Sequence, residues 1–445
     1  MVMPATKDPE LEFRKYVNFL VGLQERRERR IEASTLPITA TVDPTANVCH
    51  LKCPYCDVGR RALERTRGVM RPHTHGKIMK PLLDTLFVVQ YFNTGEPLLN
   101  REFSKLVAQT KGKEIFSIIS TNLSVQLSDR EIEDLVTCGL GIFTVSLDGA
   151  SPETYNQYRR EGDFALVVEN MRRLVDKKRR LRLEYPLIEW RFLVFEHNRH
   201  EIKKARELAS LWGVDILEFF PGSAPIDPPV GEPRMTSETD FGPAISGPAI
   251  DRARRRRDTV FRQRFGNEPL RDGKAPPEDV RWQKCDWLYW GTALFPNASV
   301  GPCCVSNLEK DDFGTLAEDG DFRRVWNNET YRTARASFPG GRKTTLVCAR
   351  CPNSDAQDYQ FRMTLQGILR NAPGWVLKIL SQDLDRYFWK VDFYLSSAEL
   401  DGILRAKDDF AKQTFPDILT RLTEYASNNQ VQAAFVNSMI SALAA

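Results

Sequence analysis

Between residues 37 and 220 short apolar runs alternate with longer amphipathic ones, and this rhythm constrains the fold more than any single residue does. The apolar runs are 37–42 (Pro-Ile-Thr-Ala-Thr-Val), 86–92 (Leu-Phe-Val-Val-Gln-Tyr-Phe), 114–120, 141–147 (Gly-Ile-Phe-Thr-Val-Ser-Leu), 187–195 and 214–220. They are short, nearly continuous in apolarity and rich in β-branched and aromatic residues, as strands buried on both faces are. The stretches between them have helical period. In 164–175, Phe164, Val167, Val168, Met171, Leu174 and Val175 mark one face, with arginine and lysine opposite. Six such β–α units predict a parallel sheet curled into part of a barrel.

The flanks read differently. Residues 8–33 read as a charged amphipathic helix ending before Pro37. Residues 221–284 are rich in Pro and Gly and carry an arginine knot, Arg252 and Arg254 to Arg257; we read a linker there with some short helix. Residues 285–357 form a small cysteine-bearing domain, and 358–445 return to helical periodicity with Trp375, Phe388 and Trp389, a packed cap. The expected domains are therefore 1–36, 37–220, 221–284, 285–357 and 358–445. For 445 residues several domains are the prior expectation. Sixty-three basic against 59 acidic residues leave a net charge of only +4, so no global field demands a nucleic acid. The sequence shows no signal peptide and no apolar run of bilayer-spanning length, and nine cysteines in such a chain point to metal ligation in a reducing cytoplasm.

Cys49, Cys53 and Cys56 sit on the loop directly after the first strand, in the run Cys-His-Leu-Lys-Cys-Pro-Tyr-Cys. Three thiolates this close can hold three corners of a cubane iron–sulfur cluster and leave the fourth iron open for a ligand. A structural zinc knuckle or a disulfide pair are the alternatives; zinc usually recruits a fourth Cys or His, and His50 is the only other candidate within the run. In βα barrels the active site is built from the loops at the C-terminal ends of the strands. The same rim carries Asn93-Thr94-Gly95-Glu96-Pro97 after strand two, Ser120-Thr121-Asn122 at strand three and Ser146-Leu147-Asp148-Gly149 at strand four. One such polar ending is a turn; several on one rim point to a site.

This order of motifs resembles the radical S-adenosylmethionine (SAM) superfamily. The resemblance implies an α/β fold, a partial (β/α)6 TIM-like barrel, with a [4Fe–4S] cluster on Cys49, Cys53 and Cys56 whose open iron chelates SAM. It places Tyr55 by the adenine, and Glu96 with its neighbouring backbone on the methionine ammonium. It assigns Thr94, Gly95, Pro97 and Asn122 to the same pocket, and brings Ser146 and Arg159 to the carboxylate or ribose. Members of the family often have Gly-Gly-Glu-Pro where this chain has Thr94-Gly95-Glu96-Pro97. The threonine hydroxyl either adds a contact or narrows the approach.

A second set, Cys285, Cys303, Cys348 and Cys351, surrounds a hairpin-like stretch with its turn at Pro296-Asn297-Ala298 and a helix around Phe322, Val325, Trp326 and Tyr331. This layout resembles the twitch domain, a shortened SPASM domain holding an auxiliary [4Fe–4S] cluster through four cysteines, with spacing like that of the butirosin-pathway dehydrogenase group. A zinc ribbon is the alternative. Cys304 is left over: it is the true ligand in place of Cys303, an inert thiol, or a hydrogen-atom donor to a substrate radical. Cys138 reads as core, and His73 and His75 read as solvent-exposed ahead of the first helix. His197 and His200 follow strand five near the rim. Arg191 on that strand points into the barrel, where it could bind substrate oxygen, or outward.

The expected function is a radical SAM oxidoreductase or epimerase acting on a sugar or aminocyclitol, with a flavodoxin- or ferredoxin-type reductant as partner. A peptide maturase is the second expectation. Thirty-six N-terminal residues are short for a leader-binding winged helix and no third cluster has its cysteines, although the linker and tail offer room for a peptide. A non-catalytic zinc module is the third. No nucleic-acid partner and no membrane span is expected.

Overall fold

A computed structural model describes residues 8–222, 233–234, 236, 245–246, 285–304, 306–316, 320–337, 347–350, 364–365, 367–369, 371–382 and 413–444. All six expected strands form: β1 (Thr39–Val42), β2 (Val88–Tyr91), β3 (Phe116–Thr121), β4 (Leu140–Ser146), β5 (Leu187–Val194) and β6 (Ile216–Pro221). Each pairs in parallel with the next, so the order along the sheet follows the order along the chain. The helices between them cover one face. In α6 (Phe164–Arg180), Val167, Met171, Leu174 and Val175 are buried, as the periodicity predicts, and the Asp163 carboxylate caps its start by accepting from Leu166 N. The other face, lining the curl, is more open: Gln90, Ile118, Ser120, Ile142, Ser146 and Arg191 are only half-buried.

The sheet does not stop at β1. The expected hairpin forms as β8 (Gly291–Leu294) and β9 (Ser299–Gly301), with its turn at Pro296–Ala298, and β8 pairs in parallel with β1. A short β10 (Gly314–Thr315) and β7 (Ile245–Ser246) complete an open ten-stranded sheet, antiparallel at both ends. The barrel is therefore partial and the cysteine-bearing hairpin is continuous with it.

The N-terminal helix α1 (Pro9–Glu28) departs from its amphipathic reading. Its N-terminus is capped by Asp8, and fourteen of its residues are buried, Lys15, Glu25 and Arg26 among them. It lies across the N-terminal edge of the sheet: Lys15 Nζ donates to the carbonyls of Leu86 and Glu114, 2.7 and 3.2 Å away, just ahead of β2 and β3. Tyr16 meets Phe87 and Trp375 edge-on. The described parts of the C-terminal tail are helical and packed, as expected. Helices 416–428 and 430–444 dock on α1, with Tyr425 against Phe13 and Gln432 donating to Ser34. Phe388, Trp389 and most of 221–284, with the arginine knot, lie outside the described residues. No described helix is long and apolar enough to cross a membrane.

Candidate active site at the C-terminal edge of the sheet

After β1 the chain turns through Asp43, whose buried carboxylate accepts from the backbone N–H and hydroxyl of Thr94 at 3.0 and 2.5 Å. The hydroxyl of the threonine in the Thr94–Pro97 motif is thus spent on bracing the loop from behind, and Thr94 is not among the residues that border the cysteine-lined pocket. The loops after β1 and β2 are laced together, Asn47 N donating to Thr94 O at 2.7 Å and Glu96 N to Val48 O at 2.8 Å. At the crossing a Cβ on Gly95 would stand 1.9 Å from Thr45 O and 2.8 Å from Val48 O, so only glycine fits.

Behind that crossing the Glu96 carboxylate is buried and shared. It accepts from the Thr121 hydroxyl (2.5 Å), Leu98 N (3.0 Å) and Asn122 N (2.7 Å), joining the ends of β2 and β3. Burial pushes this carboxyl above its usual range, against the pull of those donors. Glu96 is thus chiefly a brace, and most of its acceptor capacity is taken by the protein itself. Pro97 opens a 3-10 turn beneath it, Pro97–Leu99, and is buried.

A pocket of about 170 Å³ opens where these loops meet. Cys49, Cys53 and Cys56 border it together with Gly95, Glu96, Ser120, Asn122, Ser146 and Arg159. Donors already face two of the sulfurs: Asn122 Nδ2 lies 3.8 Å from Cys49 Sγ, and an Arg159 guanidinium nitrogen lies 3.9 Å from Cys53 Sγ. Asp148 fixes that guanidinium, accepting from Arg159 Nε at 2.6 Å while its other oxygen accepts from Leu193 N at 2.7 Å. Burial works to lower the Arg159 pKa, but Asp148 and then Cys53 outweigh it and hold the charge firmly in place. Tyr55 stands beside the pocket in an aromatic nest with Tyr158 and Phe195, ring centroids 6.0 and 6.1 Å away, and its hydroxyl donates to Pro233 O.

The donor set fits an iron–sulfur cluster better than a single ion. Three thiols and no other Cys or His border this one pocket, and three cysteines with one corner left over is the donor set of a site-differentiated [4Fe–4S] cluster, whereas a structural zinc asks for four. Burial, followed by the nearby Glu96 charge, pushes the Cys49 thiol up to about 12, and burial raises Cys53 as well. Such thiols become ligands when a metal's positive charge displaces their protons.

Arg191 lies next door and does not border the pocket. It is the cross-strand partner of Ser146, on the open face, and is held by Glu189 Oε1 at 2.9–3.1 Å with the Phe220 ring 5.0 Å away. His50 is not among the residues that border the pocket. The expected exposure of the His73–His75 pair holds for His73 only. Both lie on α2 (Pro72–Met79), where His75 turns inward to Gln109 (2.7 Å) and Tyr91 (3.2 Å). His197 stacks on Phe195 and His200 is exposed; neither borders the pocket. Cys138 is buried, as expected of core.

Of the second set, Cys285 precedes the short helix Trp287–Trp290, Cys303 and Cys304 follow β9, and Cys348 lies on the turn Val347–Arg350. All four belong to or pack against one hydrophobic core. Tyr331 is buried among them: burial raises its phenol, and Cys303 and Cys348 are both near enough to add to the effect. Cys351 lies outside the described residues.

Sequence reasoning missed two residues here. Asp43 ties the first two loops together. A Cβ on Gly59 would stand 2.7 Å from Cys53 N. The glycine three places after Cys56 was a visible signal; the aspartate gave none.

Fold and site together define a class. Residues 44–189 match the model of the radical SAM superfamily, and residues 285–352 match that of the SPASM iron–sulfur cluster-binding domain. The chain therefore carries a radical SAM domain followed by a SPASM domain, with SAM and two kinds of [4Fe–4S] site as the cofactors these domains imply. Among curated relatives, a "Probable GTP 3',8-cyclase" of Methanococcus vannielii is 30% identical over 175 residues, 39% of this chain and 56% of the relative. A protein of the same description from Methanocaldococcus jannaschii is 26% identical over 203 residues, 45% of this chain and 62% of the relative. The chain thus spans little more than half the length of these relatives. Among solved structures, SuiB of Streptococcus suis bound to S-adenosylmethionine aligns with TM-score 0.47 and 14% identity over 68% of each chain. BtrN in complex with AdoMet and 2-DOIA aligns with TM-score 0.41 and 16% identity over 73% of this chain and 96% of that one.

Proposed function

We propose that this radical SAM enzyme is an oxidoreductase or epimerase acting on a small hydroxyl-bearing metabolite, such as a sugar or aminocyclitol. When bound at Cys49, Cys53 and Cys56, the cluster would supply an electron to SAM and so a 5′-deoxyadenosyl radical able to abstract hydrogen from an unactivated carbon. The chain's own residues orient the partners. Arg159, fixed by Asp148, offers its outer N–H groups to a carboxylate, while the backbone at Gly95 lies open for an ammonium. Tyr55 and its aromatic neighbours would flank the adenine.

The observation that carries the substrate class is the open face of the sheet beside the pocket. Half-buried Ser120 and Ser146 stand with their hydroxyls 3.4 Å apart, and half-buried Arg191 is held by Glu189, whose buried carboxylate also accepts from Thr144 at 2.7 Å. Hydroxyls and one compensated ion pair suit a compact polyol. Arg191 would bind a substrate oxygen there, and a flavodoxin- or ferredoxin-type protein would supply electrons.

The test is anaerobic incubation of the reconstituted enzyme with SAM, reductant and deuterated sugars or aminocyclitols. GTP is included because the curated relatives are described as cyclases of it. The reading expects 5′-deoxyadenosine that depends on a polyol and carries its deuterium; dependence on GTP or on a peptide alone would overturn it. Cys304→Ala then separates the two outcomes. Loss of product with continued 5′-deoxyadenosine marks epimerisation by thiol hydrogen return, and unchanged turnover marks oxidation.

A further inference from the structure

The segment between the first cysteine loop and α2 carries a buried arginine that the chemistry above does not use. Arg65 has a side chain only 2% exposed, and all three of its nitrogens donate to the second cysteine region, some 240 residues later in the chain. Its Nε donates to Asn307 O at 3.1 Å, and Nη2 to Ser306 O and Leu308 O, both at 3.1 Å. Nη1 and Nη2 grip the Asp312 carboxylate at 3.0 and 2.6 Å, and the guanidinium lies 3.5 Å from the Phe295 ring centroid. Ser299 holds Asp312 from the other side at 2.5 Å, and the next residue, Thr66, adds two bonds to Glu309.

Both ends of this strap reach cysteines. On one side Asn47 Nδ2 donates to the carbonyls of Arg65 and Leu63, and Asn47 lies two residues before Cys49. On the other, Ser306, whose carbonyl Arg65 holds, closes the Cys303 turn by donating its N–H to Cys303 O at 3.2 Å. A planar fork with five donors can hold three carbonyls and a carboxylate at once; a lysine ammonium cannot.

We propose that Arg65 is a positioning residue that fixes the Cys303–Cys304 turn against the first cysteine loop, so that one side chain sets the placement of the two iron–sulfur centres relative to each other. The proposal rests on the two cluster domains and is independent of the substrate. Among the described residues no other buried arginine is seen to bond both cysteine regions. Arg335 binds Leu288 O, Ile31 O and Asn327 in the same region but touches neither cysteine turn, which makes it the control.

The experiment compares wild type, Arg65→Lys, Asp312→Asn and Arg335→Lys, each reconstituted anaerobically and fully reduced. Electron paramagnetic resonance reads the spin–spin interaction between the two clusters, and hydrogen exchange reads residues 57–71 and 303–312. Arg65→Lys is expected to lose or alter the interaction, with Asp312→Asn showing a smaller change of the same kind. Exchange should rise in both segments together. Arg335→Lys should lower thermal stability while leaving the interaction and both segments unchanged. An Arg65→Lys spectrum and exchange pattern identical to wild type, or an equal change from Arg335→Lys, would overturn the proposal. If the wild type holds one cluster only, the two-cluster reading fails, and joint exchange of the two segments alone decides the strap.

Discussion

The two edges of the parallel sheet are made from the same six strands and do opposite things. At the N-terminal edge α1 lies nearly buried, and Tyr16, Phe19 and Phe87 interlock edge-on at 5.3–6.5 Å. Lys15, one of the buried polar residues of that helix, is spent on backbone carbonyls that the strands leave behind. At the C-terminal edge the polar groups are braces. Asp43, Glu96 and Asp148 are buried carboxylates, and each ties one strand-end loop to another. Closed apolar packing at one edge lets the other keep a pocket bordered by three thiols without losing the fold. The expected division is stability below and chemistry above.

Substitutions can break that division, beginning with the largest expected effect. Cys53→Ala removes one corner of the cluster and should lower SAM cleavage by roughly a thousandfold or more, about 4 kcal/mol of barrier. Its apparent melting temperature in the metal-free form should scarcely move. Phe87→Ala, at the opposite edge, should cost about 3–5 kcal/mol of stability while cleavage per intact cluster stays at the wild-type rate. Chemical denaturation alongside iron-normalised activity checks both. Should Phe87→Ala also abolish cleavage per cluster, the edges are not separable.

Glu96→Gln sits between these cases. It keeps one acceptor but turns an amide NH2 toward at least one backbone N–H, of Leu98 or of Asn122, so about 1–3 kcal/mol is at stake for a buried donor left without its partner. Because Thr121 and Asn122 lean on this carboxylate, SAM affinity should weaken together with stability; equilibrium dialysis of SAM against the reconstituted variant reads the first.

The smallest effect at neutral pH is a pH dependence beside the end of β2, where His75 meets Tyr91. Burial holds the His75 pKa down at about 4 against an ordinary 6.5, the bond to Gln109 opposing only part of it. The folded state therefore stays neutral while the unfolded chain takes up a proton below 6.5. Stability is fully present above pH 6.5, falls as pH drops toward 4, and levels off below. The slope approaches about 1.4 kcal/mol per pH unit within that window. His75→Gln should flatten that part of the profile, measured as unfolding midpoints at pH 7, 6 and 5.

How much of this was legible in the sequence follows from the range of each interaction. The strands were readable because continuous apolarity is a local signal, and all six lie within two residues of their expected bounds at either end. The cysteine loop and the polar strand endings were readable because spacing along the chain carries their chemistry. Three features were not. The pairing of β8 with β1 joins residues some 250 places apart, and no local pattern encodes it. Arg65 carries no signal in the sequence because most of its partners are carbonyl oxygens, which every residue has. The bracing by Glu96 was hidden too, because which backbone N–H groups a carboxylate accepts from is set by loops that meet only in the fold.

The central claim is that the C-terminal edge holds a cluster with an open iron that cleaves SAM. The direct measurement is 5′-deoxyadenosine formed by the anaerobically reconstituted protein with SAM and dithionite, beside its Cys49→Ala/Cys53→Ala/Cys56→Ala variant, with iron, sulfide and zinc counted in both. The account predicts cleavage in the wild type, none in the variant, and iron and sulfide in the variant reduced to what the auxiliary site holds. Zinc in place of iron and sulfide, or equal 5′-deoxyadenosine from both proteins, would contradict it.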